Sequence, residues 1–188
     1  MKYFIASDIH GSAYYCDKML EAFEKEKAAR LVLLGDILYH GPRNDLPAAY
    51  DPKQVIAMLN PLKRKIFCIR GNCDCDVDQM VLEFPIMAEY AVFDPGKNDN
   101  IIYATHGHIF NEQKLPPLQS GDILLHGHTH VPVCVVHGEQ GEEDHYIYMN
   151  PGSVSIPKDG SWHGYMTLEN GLFVWKDLDG KEMLHYEV

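Results

Sequence analysis

Seven side chains able to hold a metal ion recur in this sequence in one local context. Asp8 with His10, Asp36, Asn72, His106, and His128 with His130 follow five short apolar runs, and each group stands beside a glycine. In extended chain, residues i and i+2 point to the same side. Asp8 and His10 can therefore offer two ligands to one ion, as can His128 and His130. The flanking glycines permit tight turns and close backbone approach. Imidazole, carboxylate and amide donors without thiolate suit manganese, iron, cobalt, nickel or zinc rather than a soft copper or cluster site. Seven donors exceed what one tetrahedral ion takes; they suit two divalent ions sharing a carboxylate, with room for water. A lone D-x-H or G-D would carry no weight. Five such motifs in order, each after an apolar run, carry a great deal.

The elements that must position these groups are legible as patterns. Tyr3–Ser7, Leu31–Leu34 and Lys65–Ile69 read as buried strands. Between the first two, Ser12 caps a helix with Cys16, Met19, Leu20 and Phe23 at i, i+3, i+4 and i+7. Asp51-Pro52 starts a second helix that runs to about Leu59. This βαβαβ order implies parallel strands with right-handed crossovers. The second half is strand-rich, with runs near 86–94, 101–105, 122–126, 131–137, 145–149, 163–168, 171–177 and 181–187. Turn chemistry at Pro95–Asn100, Gly138–Asp144 and Glu169-Asn170-Gly171 separates them. Ligand sites in α/β sheets lie off the carboxyl ends of strands, so the seven donors are expected at one rim. No linker, repeat or low-complexity tract divides the 188 residues, which read as one domain over 1–188.

Composition narrows the partners. Sixteen Lys and Arg face 27 Asp and Glu, a formal net charge of −11. That excludes stable nucleic-acid binding by phosphate neutralisation, which needs a basic surplus. No signal-peptide pattern and no run of membrane-spanning length is present. Five scattered cysteines make no disulfide framework. A cytoplasmic protein with no membrane partner is the expectation; the 11 tyrosines leave room for a homo-oligomer interface.

The ordered motifs Asp8–His10, Gly35-Asp36, Gly71–Asp74, His106 and Gly127–His130 resemble the calcineurin-like metallophosphoesterases. Their pattern is D-x-H, G-D, G-N-H-[DE], a strand-end His and G-H-x-H. Within that superfamily the chain looks most similar to the small bacterial YfcE-type phosphodiesterases, through Gly71-Asn72-Cys73-Asp74, His40–Asn44 and Asn150–Ser155. The resemblance implies a four-layer α-β-β-α sandwich of two mixed sheets flanked by helices. It implies one ion on Asp8, His10, Asp36 and His130, and a second on Asp36, Asn72, His106 and His128. Manganese is the first expectation for both ions. The implied activity is hydrolysis of small phosphodiesters by in-line attack of a hydroxide held between the ions. A phosphomonoesterase is the alternative, followed by a protein-binding scaffold with a vestigial site.

One position departs from the superfamily pattern. Cys73 stands where a histidine is usual, and a thiol with an ordinary pKa near ~8.5 is a poorer proton shuttle near neutral pH. Asp36, Asn72 and Cys73 are the catalytic candidates. Arg43 and His40, after Asp36, are candidates to touch substrate, since arginine suits phosphate. His108 is expected to orient a ligand and His126 to be structural; Asn150 either orients a ligand or closes a turn.

Overall fold

The computed structural model describes residues 1–97 and 99–188; the expected Pro95–Asn100 turn therefore includes one residue, Asn98, outside the described set. The chain begins β1 (Tyr3–Ala6), α1 (Ala13–Glu26), β2 (Arg30–Leu33), α2 (Pro52–Leu59) and β3 (Ile66–Cys68). Ser12 caps α1 by accepting from the Tyr15 amide, and Lys27 closes it in the left-handed region. Asp51 caps α2 by accepting from the Gln54 amide, with Pro52 in the first turn. β1, β2 and β3 pair in parallel. Alternation divides their side chains between two cores. Phe4, Ala6, Leu31, Leu33 and Ile66 face a core shared with Cys16, Met19 and Phe23 of α1 and Val55 and Leu59 of α2. Ile5, Val32 and Leu34 face the opposite way.

After a short helix α3 (Asp76–Gln79), the chain makes β4 (Tyr90–Phe93), β5 (Ile102–Thr105), β6 (Ile123–Leu125), β7 (Pro132–His137) and β8 (Tyr146–Pro151). It then returns to the first sheet as β9 (Gly164–Glu169), β10 (Leu172–Asp177) and β11 (Glu182–Glu187). The two sheets have orders β11-β10-β9-β1-β2-β3 and β4-β5-β6-β8-β7. Ile5, Val32 and Leu34 meet Ile102, Ala104, Ile123, Leu125 and Met149 between them, with Phe173 and Trp175. The buried Trp175 indole donates to the Asn150 carbonyl at 2.6 Å, which ties one sheet to the other. The Asn170-Gly171 turn between β9 and β10 has both residues at positive φ, +50° and +80°. That is what a two-residue hairpin loop of matching twist requires.

The expected two-sheet sandwich is present, with unequal outer layers. Helices cover the first sheet, whereas among the described residues no helix lies between β5 and β6 or beyond the second sheet. Leu118, from the irregular stretch between those strands, packs on the outer residues Leu124 and Tyr148 instead. Gly107, Pro116, Pro117 and Gly121 in that stretch disfavour a helix. The run expected at 86–94 forms a strand only over Tyr90–Phe93. Its first part changes layers: Ile86 packs with the helices, and Ala91 and Phe93 pack between the sheets.

Candidate metal centre

Three parallel strands of one sheet and two of the other present their carboxyl ends to one rim. β1 leads to Asp8 and His10, β2 to Asp36, β3 to Asn72, β5 to His106, and β6 to His128 and His130. All seven donors converge. His10 Nε2 lies 3.2 Å from His130 Nε2, and these lie 3.5 and 3.2 Å from Asp8 Oδ1. His106 Nε2 lies 3.1 Å from Asn72 Oδ1 and 3.2 Å from His128 Nδ1. Asp36 Oδ2 stands between the two groups, 3.7 Å from His10 Nε2 and 3.5 Å from His106 Nε2. Asp8, His10, Asp36, His106 and His130 are all at most 3% exposed. His128 is half-buried and Asn72 exposed, so the centre opens on their side.

The donor chemistry fits cations. His10, His106 and His130 each direct Nδ1 at a backbone carbonyl, of Tyr39, Leu34 and Ile156, at 2.8, 2.7 and 2.7 Å. Donation from Nδ1 leaves Nε2 of each ring with a lone pair aimed inward. Two such lone pairs 3.2 Å apart, at His10 and His130, repel unless a proton or cation stands against them. Asp8 Oδ1 is buried with no hydrogen-bond donor, although it faces both rings. Burial alone would push the Asp8 carboxyl up; the His10 and His130 rings reverse this and hold it well below the usual range. In the metal-free protein burial likewise opposes the charged form of His106, yet Asp36 and Asp8 raise that ring to about 9, so a proton occupies the Nε2 position that a cation would otherwise face. The centre stores negative charge in a dry place.

Backbone strain marks the same residues. Asp8, His10, Asp36, His128 and His130 have φ of +60°, +50°, +57°, +65° and +64°. The left-handed region costs a non-glycine residue roughly 1–2 kcal/mol, and such strain gathers at functional sites. Hydrogen bonds hold it in place. Ser153 and Ser155 hydroxyls donate to the Asp8 carbonyl at 2.8 and 3.1 Å. The His128 amide donates to Asp8 Oδ2 at 3.0 Å, linking the two sheets. Asn150, open between two roles in the sequence, orients the ligand loop: its amide donates to the Gly127 carbonyl at 2.8 Å. It also caps its own turn by accepting from the Gly152 amide.

Asp74 has the largest role that motif reading passed over. Its buried carboxylate accepts from the amides of Asp36, Ile37 and Gly71 at 2.8, 2.9 and 2.7 Å. It thereby clamps the loop after β2 to the loop after β3. The signal was present in Gly71–Asp74, where Asp74 looked like part of a motif rather than its anchor.

A cavity of about 450 Å³ opens over the centre, lined by Asp36, Asn72, Cys73, His128 and His130 and rimmed by Arg43, Thr129 and Lys158. Arg43, the candidate to touch substrate, is among the lining residues. Thr129 fills the variable position of Gly127–His130, whereas Lys158 carries no motif and only the return of 152–163 to this rim brings it in. His40 is not among the lining residues; its ring packs edge-on to Tyr39 and Tyr50. Burial, then the Asp36 carboxylate, pushes the Cys73 thiol strongly up in the metal-free protein. His108 contacts the His106 ring at 5.4 Å between centroids, beside a ligand rather than in the donor set.

His126 is structural and predicts a pH effect. It is 1% exposed, stacked on Tyr148 at 4.5 Å, and burial lowers its pKa from 6.5 to about 4. The fold therefore favours the neutral ring. Above pH 6.5 neither state is protonated there; as pH falls toward 4 the unfolded chain takes a proton that the fold refuses, and stability drops. The shift corresponds to about 3 kcal/mol. Thermal unfolding of the metal-free protein should show a steeper fall in Tm from pH 6.5 to 4 than the His126→Phe variant does. Equal slopes would contradict this role for His126.

Fold and site together define a metal-dependent phosphoester hydrolase scaffold, and the chain belongs to the calcineurin-like phosphoesterase superfamily, whose domain matches residues 1–171. Among individual relatives, the sequence is 46% identical over 170 residues to phosphodiesterase YfcE of Escherichia coli K12, covering 90% of this chain and 88% of the relative. The solved structure of YfcE, a phosphoesterase from E. coli, superposes with a TM-score of 0.91 at 42% identity, covering 100% of this chain and 99% of the other. Vps29 of Chaetomium thermophilum shares the fold at a TM-score of 0.53 and 15% identity, covering 100% of this chain and 95% of the other.

Proposed function

We propose that this protein is a dinuclear-metal phosphodiesterase acting on small phosphodiesters in the cytoplasm. The observation that carries the reading is the position of Asp36 Oδ2, within 3.7 Å of one donor set and 3.5 Å of the other. Asp8, His10, Asp36 and His130 would hold one ion; Asp36, Asn72, His106 and His128 would hold the second. Bound ions supply Lewis-acid activation of water and of the phosphoryl group. Manganese suits the nitrogen and oxygen donors, with iron, zinc, nickel and cobalt as competitors.

The chain's own groups divide the remaining work. Arg43 and Lys158 flank the cavity with positive charge and would hold the phosphoryl oxygens that do not react. Asn72 presents its carbonyl oxygen to the centre and its amide nitrogen to Cys73 Sγ at 3.1 Å. A thiol pushed up in this way is a weak acid toward a leaving alkoxide. That favours diesters with good leaving groups. The likeness to phosphodiesterase YfcE supports the diester over the monoester. Five cysteines without a disulfide, and no helix among the described residues long and apolar enough to cross a membrane, fit a cytoplasmic location.

Parallel assays on bis(4-nitrophenyl) phosphate and 4-nitrophenyl phosphate test this. The diester should be hydrolysed, chelation should abolish the rate, and Mn²⁺ should restore it. A strong monoester preference overturns the choice of substrate class.

A further inference from the structure

The two sides of the metal centre differ in chemistry. Toward Asn44, Thr129 and Lys158 the cavity rim is polar. On the other side, a second cavity of about 670 Å³ shares Pro42, Arg43, Asn72 and Cys73 with the first and continues past Tyr39 to Cys75 and Asp78. Tyr39 and Asp78 in turn line a third hollow, of about 290 Å³, walled by Tyr50, Ile56, Val77 and Val81. Neighbouring hollows share lining residues, so the three lie in series as a trough of adjoining surface from the metal ligands to an apolar patch. That surface is open. Tyr39 is 42% exposed, Val77 66% and Val81 42%.

Large apolar side chains that lie open around a cavity continuous with a reactive centre mark a binding surface rather than scattered exposure. The backbone explains their presentation. The Tyr39 carbonyl receives the His10 Nδ1 hydrogen bond, which pins this residue beside the centre while its ring forms the trough wall. Short α3 begins immediately after Cys75, with Asp78 accepting from the Cys75 amide at 2.9 Å, and it raises Val77 onto the same wall.

We infer that this trough is a subsite for a hydrophobic arm of the substrate. The substrate class is an asymmetric phosphodiester, one of whose two alcohols is an alkyl or aryl group extending over Tyr39 to Val77 and Val81. The other arm lies on the polar side, by Thr129 and Lys158. The inference rests on the phosphodiesterase reading and specifies its substrate. The occupant is the substrate itself because the trough opens into the site through Arg43, Asn72 and Cys73, which a docking surface for another protein would not require.

Competitive inhibition tests it with either arm free to choose its side. Methyl 4-nitrophenyl phosphate serves as reporter with the Mn²⁺-loaded protein, and alkyl methyl phosphates from ethyl to octyl compete. Ki should fall with chain length by roughly tenfold or more across the series, well within the ~fourfold per fully buried methylene that transfer energies allow. In the double variant Val77→Asp/Val81→Asp, both positions being exposed, the chain-length gain should disappear. Inhibition by inorganic phosphate, which reports on the metal centre alone, should stay within about twofold, and the thermal midpoint should match the parent. A Ki independent of length in the parent protein, or an equal gain in the variant, overturns the subsite. So does a flat series combined with self-association that the variant loses, which would assign the patch to a second copy. A protein inert toward the reporter sinks the phosphodiesterase reading, and this one with it; activity with a flat series sinks only this one.

Discussion

Asp36→Ala should abolish hydrolysis and leave the protein folded. Asp36 presents one oxygen to a histidine of each donor group, so its loss leaves two incomplete sets of three. Its other oxygen accepts from the Cys73 amide at 2.8 Å, which also fixes the loop that carries Asn72. Burial works against the Asp36 charge, and the His106 ring reverses this and holds the carboxyl below its usual range. The change should therefore cost some stability in the metal-free protein through the lost His106 partner, while leaving both cores and the sheets intact. Metal electrostatics at such centres contribute several kcal/mol to the transition state, and each 1.36 kcal/mol is tenfold. A loss of about a thousandfold or more in kcat is expected, with bound metal falling below two ions per chain. His128→Ala should act in the same direction. Circular dichroism and the thermal midpoint check the fold. A variant retaining a tenth of the parent rate would remove Asp36 from its bridging role.

Gly71→Ala should disable the site with a single methyl group. An added Cβ would stand 2.1 Å from Asp36 Oδ1 and 2.4 Å from the Asp36 amide nitrogen. Gly71 does not have positive φ, so alanine does not meet the left-handed penalty there and the cost is chiefly space. Space is what this junction lacks, because Gly35 and Gly71 pack backbone to backbone under the Asp74 clamp. The carboxylate must move, and displacement of a reacting group by about 1 Å costs on the order of a hundredfold in rate. Overpacking should also remove about 1–3 kcal/mol of stability. Gly141→Ala is the control. Nothing lies within 4 Å of its added Cβ, although its φ of +94° is costly for alanine. It should lose some stability and keep its rate. Equal activity in Gly71→Ala and the parent would show that Asp36 can shift without consequence.

The glycine beside each donor group illustrates how much was readable in advance. Motif spacing pointed to all seven donors because each depends on local chain geometry: a strand end, a glycine turn, an i+2 repeat. Strand order was partly readable for the same reason. Parallel pairing of β1, β2 and β3 follows from alternation with helices. The break in the 86–94 run was not readable. An apolar residue can pack into either of two cores, and only the position of the helices shows that Ile86 belongs to one and Ala91 to the other. The irregular cover on the outer side of the second sheet was legible only in part. Pro116 and Pro117 argue against a helix there, but nothing local shows that Leu118 packs on Leu124 and Tyr148.

By itself, the sequence determined the donor chemistry of the centre and the superfamily to which the chain belongs. Both depend on residue type and short spacing, which are properties of the chain before it folds. Tertiary structure alone decided which donors face one another, because that depends on two sheets bringing five separate loops to one rim. It decided that Asp74 is a clamp, that Lys158 reaches the cavity while the His40 ring lies outside its lining, and that an apolar trough leaves the centre on one side. These are contacts between residues tens of positions apart. No local pattern encodes them, since the energy that selects them is the burial of two cores and the satisfaction of backbone groups across loops.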